Sequence, residues 1–194
     1  TLRMANQGLT PNEIAEQLVL PVGLDSLFAC RGYYGSLSHN VKSQYQMYFG
    51  WFDGNPANLN PLPPVELGRK YVEAIGGGER VIEVARKAYD EGEYRWCATL
   101  LNNLVFAEPE NQTARQLLAD VYTQLGYQAE SGPWRNFYLT GAKELRGEIN
   151  RQVPNLVNAS SVSNLGADML LDFCAIQVNG MKAGDKRICI NLTF

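Results

Sequence analysis

Apolar residues recur with a helical period along most of this chain, and proline and glycine punctuate the pattern. Ile14, Ala15 and Leu18 share one helical face. Thr10-Pro11-Asn12-Glu13 opens that helix: Thr10 is a good N-cap, Pro11 suits the first helical position, and Glu13 closes a capping box. Pro21 ends it. A second short helix is expected over 24–30. Leu37, Val41, Tyr45 and Tyr48 fall at helical spacing and predict a helix over 37–49. Pro56, Pro61, Pro63 and Pro64 exclude regular structure from 53–64. A helix is then expected from Pro64 to Ile75, stopped by Gly76-Gly77-Gly78.

From Gly78 a unit of 34 residues fits the pattern. Val81, Val84, Ala85 and Ala88 line a first helix, Gly92-Glu93-Tyr94 makes a turn, and Cys97, Leu101 and Leu104 line a second helix before Pro109. The next unit starts at Gln112. It puts Leu118, Ala119 and Tyr122 in the places of Val84, Ala85 and Ala88, and Gly126 in the place of Gly92. This is tetratricopeptide-like spacing. Small residues at Ala85, Cys97 and Ala119 let paired helices approach closely. Leu125-Gly126-Tyr127 is expected to turn, and Ser131-Gly132-Pro133 to start a helix running from Trp134 to about Arg146, so that one and a half units are present. Residues 148–162 read as a linker. A helix is expected over 165–176, ended by Asn179-Gly180, and a strand over 187–194. The expected fold class is mainly α: a tetratricopeptide-like helical domain over 1–147, and a truncated α+β segment over 163–194. A lone strand needs partners that these residues do not supply.

Composition narrows the classes. The chain has 194 residues, 45% hydrophobic and 19% charged, with a net charge of −3. That is an ordinary globular mixture with no electrostatic case for nucleic acid. No apolar run approaches the roughly 18–20 residues of a membrane span. TLRMANQGLT lacks an initiator Met and does not read as a signal peptide, so the sequence is expected to be cut from something longer. Cys30, Cys97, Cys174 and Cys189 lie far apart, and with one histidine no Cys/His zinc site is expected. Cys97 and Cys174 sit in apolar helical patterns and are expected to be buried thiols.

The densest candidate chemistry is in residues 31–56, RGYYGSLSHNVKSQYQMYFGWFDGNP. Aromatics with hydrogen-bonding tips beside one imidazole and one guanidinium suit a pocket wall that reads a polar or anionic group. Arg31 is the leading anion ligand, because its planar fork matches the oxygens of an oxyanion; a surface ion pair is the competing role. Tyr33, Tyr34 and Tyr45 offer hydroxyls, although such residues more often pack. His39 is either a capping and packing residue or a site residue. Trp51, Phe52, Trp96 and Trp134 read as packing anchors. Asp53-Gly54-Asn55-Pro56 reads as a turn, having no downstream Glu to complete a calcium loop. Ser36 and Ser38 have no partners that would make a nucleophile.

Three stretches carry a resemblance: LRMANQGLTPNEIAEQLVLP, RGYYGSLSHNVKSQYQMYFGWFDGNPANLNPLPP and EYRWCATLLNNLVFAEPENQTARQLLADVYTQLGYQAESGPWRNFYLTGAKELR. Together they resemble the middle of the alkylsulfatases of the metallo-β-lactamase superfamily, over residues 1–147. Residues 163–194 are similar to the opening helix and first strand of that family's sterol-carrier-protein-like C-terminal domain. The resemblance implies a parent enzyme that hydrolyses alkyl sulfate esters, such as dodecyl sulfate, to alcohol and sulfate. It implies two zinc ions held by a His-rich motif in an N-terminal domain that this sequence lacks, since it has no HxHxDH. No metal is then expected in this chain, and the chain alone should be inactive. The segment would supply homodimerisation and the rim of the substrate pocket. Arg31, Tyr33, Tyr34 and Tyr45 would face the substrate, and His39 would give a hydrogen bond or proton to the leaving alkoxide. A periplasmic or secreted bacterial setting goes with the resemblance. The rival reading is a stand-alone tetratricopeptide-type interaction module, which would not require the polar and aromatic residues of 31–63.

Overall fold

Several helices begin or end at a signal written in their own residues. The computed structural model describes residues 1–149, 164–187, 189 and 191. They divide between two units, Thr1–Asn150 and Arg151–Phe194. In the first unit, α1 (Leu2–Ala5) precedes α2 (Pro11–Gln17). The Thr10 hydroxyl accepts from Glu13 N while Glu13 accepts from Thr10 N at 2.8 Å, so the capping box forms as expected. The Thr10 backbone N–H, together with the Thr10 hydroxyl donating to the same carboxylate oxygen at 2.7 Å, holds the Glu13 carboxyl below its ordinary range. The segment expected as one helix over 24–30 is instead two pieces, α3 (Val22–Asp25) and a 3-10 turn (Phe28–Cys30). Leu27 between them adopts an extended backbone, and that break prevents one continuous helix. In α4 (Leu37–Phe49) the Ser36 hydroxyl caps His39 N at 3.1 Å.

The proline-rich loop holds only a 3-10 turn, Pro56–Asn58. Asp53 folds it locally, accepting from Asn55 N at 2.9 Å and from Asn58 Nδ2 at 2.6 Å. This is an Asx-type turn, as its residues predict.

Five longer helices follow: α5 (Pro64–Ile75), α6 (Gly78–Asp90), α7 (Tyr94–Ala107), α8 (Gln112–Gln128) and α9 (Gly132–Arg146). Successive hairpins stack, with α7 packed on α5, α6 and α8, and α9 packed on α8. Their shared core includes Val81, Ala85, Cys97, Leu101, Leu104, Leu118 and Val121, all essentially inaccessible. Burying each of the larger aliphatic side chains contributes about 1.5–3 kcal/mol. The small residues at Ala85, Cys97 and Ala119 are fully buried, which is what close helix approach requires. A second, smaller core lies where α2 meets α4, around Ile14 and Val41.

One expected turn is absent. Gly126 was predicted to reverse the chain as Gly92 does, but α8 continues through it to Gln128. Gly92 has φ +78°, which favours glycine, whereas Gly126 is helical and serves proximity. A Cβ at Gly126 would stand 2.8 Å from Leu139 Cδ2, so the missing side chain is what lets α9 lie against α8. The two hairpins therefore begin 34 residues apart, at Gly78 and Gln112, but the second has the longer first helix.

Cys97 is buried as expected, its thiol 3.2 Å from the Ala85 carbonyl. Cys174 is not: it is exposed. Burial pushes the Cys97 thiol up to about 11 from an ordinary 9.0. Because the folded state favours the protonated form, this contribution is complete below 9.0 and is lost as pH rises from 9.0 to about 11. At neutral pH, N-ethylmaleimide should modify Cys174 in the native protein and spare Cys97 until denaturant is added. Peptide mapping by mass spectrometry would show it, and rapid native labelling of Cys97 would contradict the packing described.

In the second unit, α10 (Ala167–Gln177) forms where a helix was expected over 165–176. Asn179-Gly180 does not simply end it. Asn179 caps a further short helix, α11 (Gly180–Ala183), accepting from Lys182 N at 2.9 Å. The expected linker falls outside the described residues from 150 onward. The expected strand falls largely outside them, and Arg187, Cys189 and Asn191 carry no regular structure.

Candidate functional site

The loop between the Phe28–Cys30 turn and α4 is held from a distance. Arg31 pairs with Glu130: Nε donates to Oε1 at 2.7 Å and Nη2 approaches the same oxygen at 2.6 Å. Gly132 N donates to the Tyr33 carbonyl at 2.7 Å, and Ser131 Oγ donates to the Tyr34 carbonyl at 2.6 Å. Ser131 is the one buried polar residue among the described residues. Its hydroxyl, cut off from water by burial, finds its partner in that loop carbonyl. These bonds tie residues 31–34 to the corner between α8 and α9.

Beside this loop lies an open cleft of about 680 Å³, with Arg31, Gly32, Ser36 and Asn40 on one side and Glu130 and Ser131 on another. Its charges are Arg31, Asp25 and Glu130, one cation against two carboxylates. Arg31 thus forms the surface ion pair that competed with the anion-ligand role, and it does so on the wall of a cleft. Its Nη1 has no protein partner among the described residues. The rings of Tyr33 and Tyr34 point to no core: Tyr34 is 83% exposed, and Tyr33 stacks only on Phe28 at 5.1 Å.

His39 goes elsewhere. A helix advances about 100° per residue. Ser36, Leu37 and Asn40 consequently face the first cleft, while Ser38, His39 and Lys42 face a second one of about 540 Å³. There the imidazole meets Trp134 edge-on at 4.7 Å, near Lys42, Tyr138 and an ion pair in which Arg95 Nη1 lies 3.0 Å from Glu16. That pairing holds the Glu16 carboxyl below its ordinary range. Tyr45 is on a third, smaller depression with Trp51, its ring 4.8 Å from Phe49. So of the expected site residues Arg31 is the one that lines the first cleft; Tyr33 and Tyr34 lie exposed beside it in the loop, and His39 and Tyr45 are on other faces of α4.

Glu130 and Ser131 were not among the residues singled out by sequence. Ser131 was visible only as part of a helix start, and nothing local marks Glu130 as the partner of a residue 99 positions away. Of the expected packing anchors, Trp134 does pack, but Trp51 is 71% exposed and Trp96 47%. Trp51 lies in the turn just after α4, and Trp96, in the first turn of α7, lines an open depression with Leu125 and Gln128 of α8. Among the described residues no three His, Cys, Asp or Glu side chains gather as a ligand set. The one imidazole has Lys42 and Arg95 for neighbours, which does not suit a cation. No described helix is long and apolar enough to cross a membrane.

Residues 10–148 match the family described as alkyl sulfatase dimerisation. A linear primary-alkylsulfatase from Pseudomonas sp. is 50% identical over 195 residues, covering all of this chain and 29% of that protein. The alkyl/aryl-sulfatase BDS1 of Saccharomyces cerevisiae is 49% identical, again over all of this chain and 30% of its own length. Among solved structures, the stereoselective inverting sec-alkylsulfatase Pisa1 from Pseudomonas sp. superimposes with a TM-score of 0.87 at 48% identity, over 94% of this chain and 29% of that one. The chain thus spans less than a third of the length of these relatives.

Proposed function

The chain belongs to the alkyl sulfatase dimerisation family, and from that membership we propose that it is the middle part of a larger alkylsulfatase hydrolysing alkyl sulfate esters to alcohol and sulfate. The observation that carries this is the match of the whole chain, at about half identity, to proteins named as alkylsulfatases. In this reading the stacked hairpins, a tetratricopeptide-like arrangement, form the contact of a homodimer. The Arg31–Ser36 loop forms the rim of the substrate pocket, with Arg31 facing the sulfate group and Tyr33 and Tyr34 beside it. Tyr45 and His39 belong to the same α4 and would meet substrate only from other sides, His39 as hydrogen-bond or proton donor. The chemistry of the ester's cleavage would come from two zinc ions in a metallo-β-lactamase domain outside these residues. Residues 163–194 would open a sterol-carrier-like domain.

The dimer reading has support in the exposed apolar side chains of the helical stack. Val65, Tyr71, Trp96, Phe106, Tyr127 and Phe137 are 42–84% exposed, which leaves apolar side chains of the stack available to a partner surface. Two measurements test the proposal. The parent protein carrying this segment should hydrolyse dodecyl sulfate, and light scattering at micromolar concentration should give the mass of a dimer. A parent inert toward alkyl sulfates would remove the catalytic reading. A monomer would remove the dimer. The rival interaction-module reading predicts peptide capture by the stack and no sulfatase activity in the parent.

A further inference from the structure

The Arg31 guanidinium is only half free. Glu130 Oε1 takes both Nε and Nη2, at 2.7 and 2.6 Å, and leaves Nη1 without a protein partner among the described residues. A planar guanidinium held along one edge is restricted in rotation about its last side-chain bonds, which directs its remaining corner away from Glu130. Two further bonds fix the backbone beneath it, Gly132 N to the Tyr33 carbonyl and buried Ser131 Oγ to the Tyr34 carbonyl. An exposed ion pair contributes little to stability on its own. Arg31 and Glu130 are 47% and 42% exposed, so holding the loop does not need their charges when two hydrogen bonds already do that. The pair's separate effect is on the guanidinium: Glu130 sets its direction and cancels much of its field.

We infer that Glu130 is a positioning residue for the sulfate-binding step, orienting Arg31 through the Nε/Nη2 edge so that the Nη1 corner is presented to the ester's sulfate group. The inference rests on the alkylsulfatase reading given above. Its distinguishing consequence is a split between ground-state anion binding and turnover. Removing the carboxylate charge strengthens the attraction of Arg31 for any sulfate, because a competing anion is gone. Removing the grip lets the guanidinium wander, and a misplacement of about 1 Å costs up to roughly 100-fold in rate.

The experiment uses the full parent protein, with dodecyl sulfate as substrate and inorganic sulfate as inhibitor. In E130A, kcat is expected to fall about tenfold or more while sulfate inhibits at lower concentration, by about threefold. E130Q keeps an acceptor oxygen for Nε. It should recover most of kcat and retain the tighter sulfate inhibition. In an Arg31→Ala background the Glu130→Gln change should have no effect on either quantity, since nothing remains to orient. Hydrogen exchange at Gly132 N–H should stay slow in E130Q, showing that the loop is still tied to the corner. Unchanged sulfate inhibition in E130Q, or the same kinetic effect of that change with and without Arg31, overturns the inference, and E130Q suffices should E130A not fold. If the unaltered parent fails to hydrolyse dodecyl sulfate, the functional reading fails first and takes this inference with it; a parent that is active but indifferent to Glu130 refutes the inference alone.

Discussion

Replacing Gly68 with alanine should destabilise the helical stack by about 3 kcal/mol, although the same change in an exposed helix stabilises by about 1 kcal/mol. Gly68 is buried in α5 where that helix crosses α7. A Cβ there would lie 2.5 Å from the Asn103 carbonyl oxygen and 3.3 Å from Ala107 N. Those neighbours are backbone atoms inside a hydrogen-bonded helix and cannot rotate away. The two helices must separate, and Val72, on the same helix, loses its seat in the core. Gly126→Ala provides the control. Its Cβ would meet Leu139 Cδ2 at 2.8 Å and Cγ at 2.9 Å, side-chain atoms that a rotamer change can move as backbone cannot, so a smaller loss is expected. Urea unfolding followed by circular dichroism would compare them. Equal stability of Gly68→Ala and the unaltered chain would mean that α5 and α7 are not in contact as described.

In the parent protein, Arg31→Ala should lower kcat/KM for dodecyl sulfate by about 30-fold, near 2 kcal/mol, the lower end for a charged contact to an anion. The lower end applies because the side chain is 47% exposed and shares its charge with Glu130. The fold should survive, since the loop keeps its bonds to Gly132 N and Ser131 Oγ. His39→Ala should also impair hydrolysis, through kcat, if the imidazole donates to the leaving group from its separate cleft. Steady-state kinetics with a circular dichroism check would decide. Parental rates in both variants would make the whole 31–45 segment a packing element.

Much of the helical architecture is legible in the residues because its boundaries are chemical. Thr10 and Glu13, Ser36, Pro64 and the Gly76–Gly78 run each satisfy or stop a helix end locally, and α2, α4 and α5 fall where those residues place them. Gly126 misled because glycine has two uses, turning and close approach. Only the position of Leu139, on another helix, selects between them. The candidate site divides along the same line. Arg31, Tyr33 and Tyr34 are neighbours in sequence and remain so in space. His39 directly precedes Asn40, yet the 100° step between them turns Asn40 to the first cleft and His39 to the second. Glu130 and Ser131 are invisible to local reading, since their meaning depends wholly on contacts spanning 97–99 residues.

That long span has a consequence for how the protein is made. At about 5–20 residues per second, the ribosome needs roughly 5–20 s after adding Arg31 before Glu130 exists. Throughout that interval α4 can form, capped by Ser36, but the loop ahead of it has nothing to grip. The rim therefore matures last, after α8 and α9 have emerged and closed their hairpin. A nascent chain halted before Glu130 should show the Arg31–Tyr34 peptide bonds open to protease, and one released beyond Arg146 should show them protected.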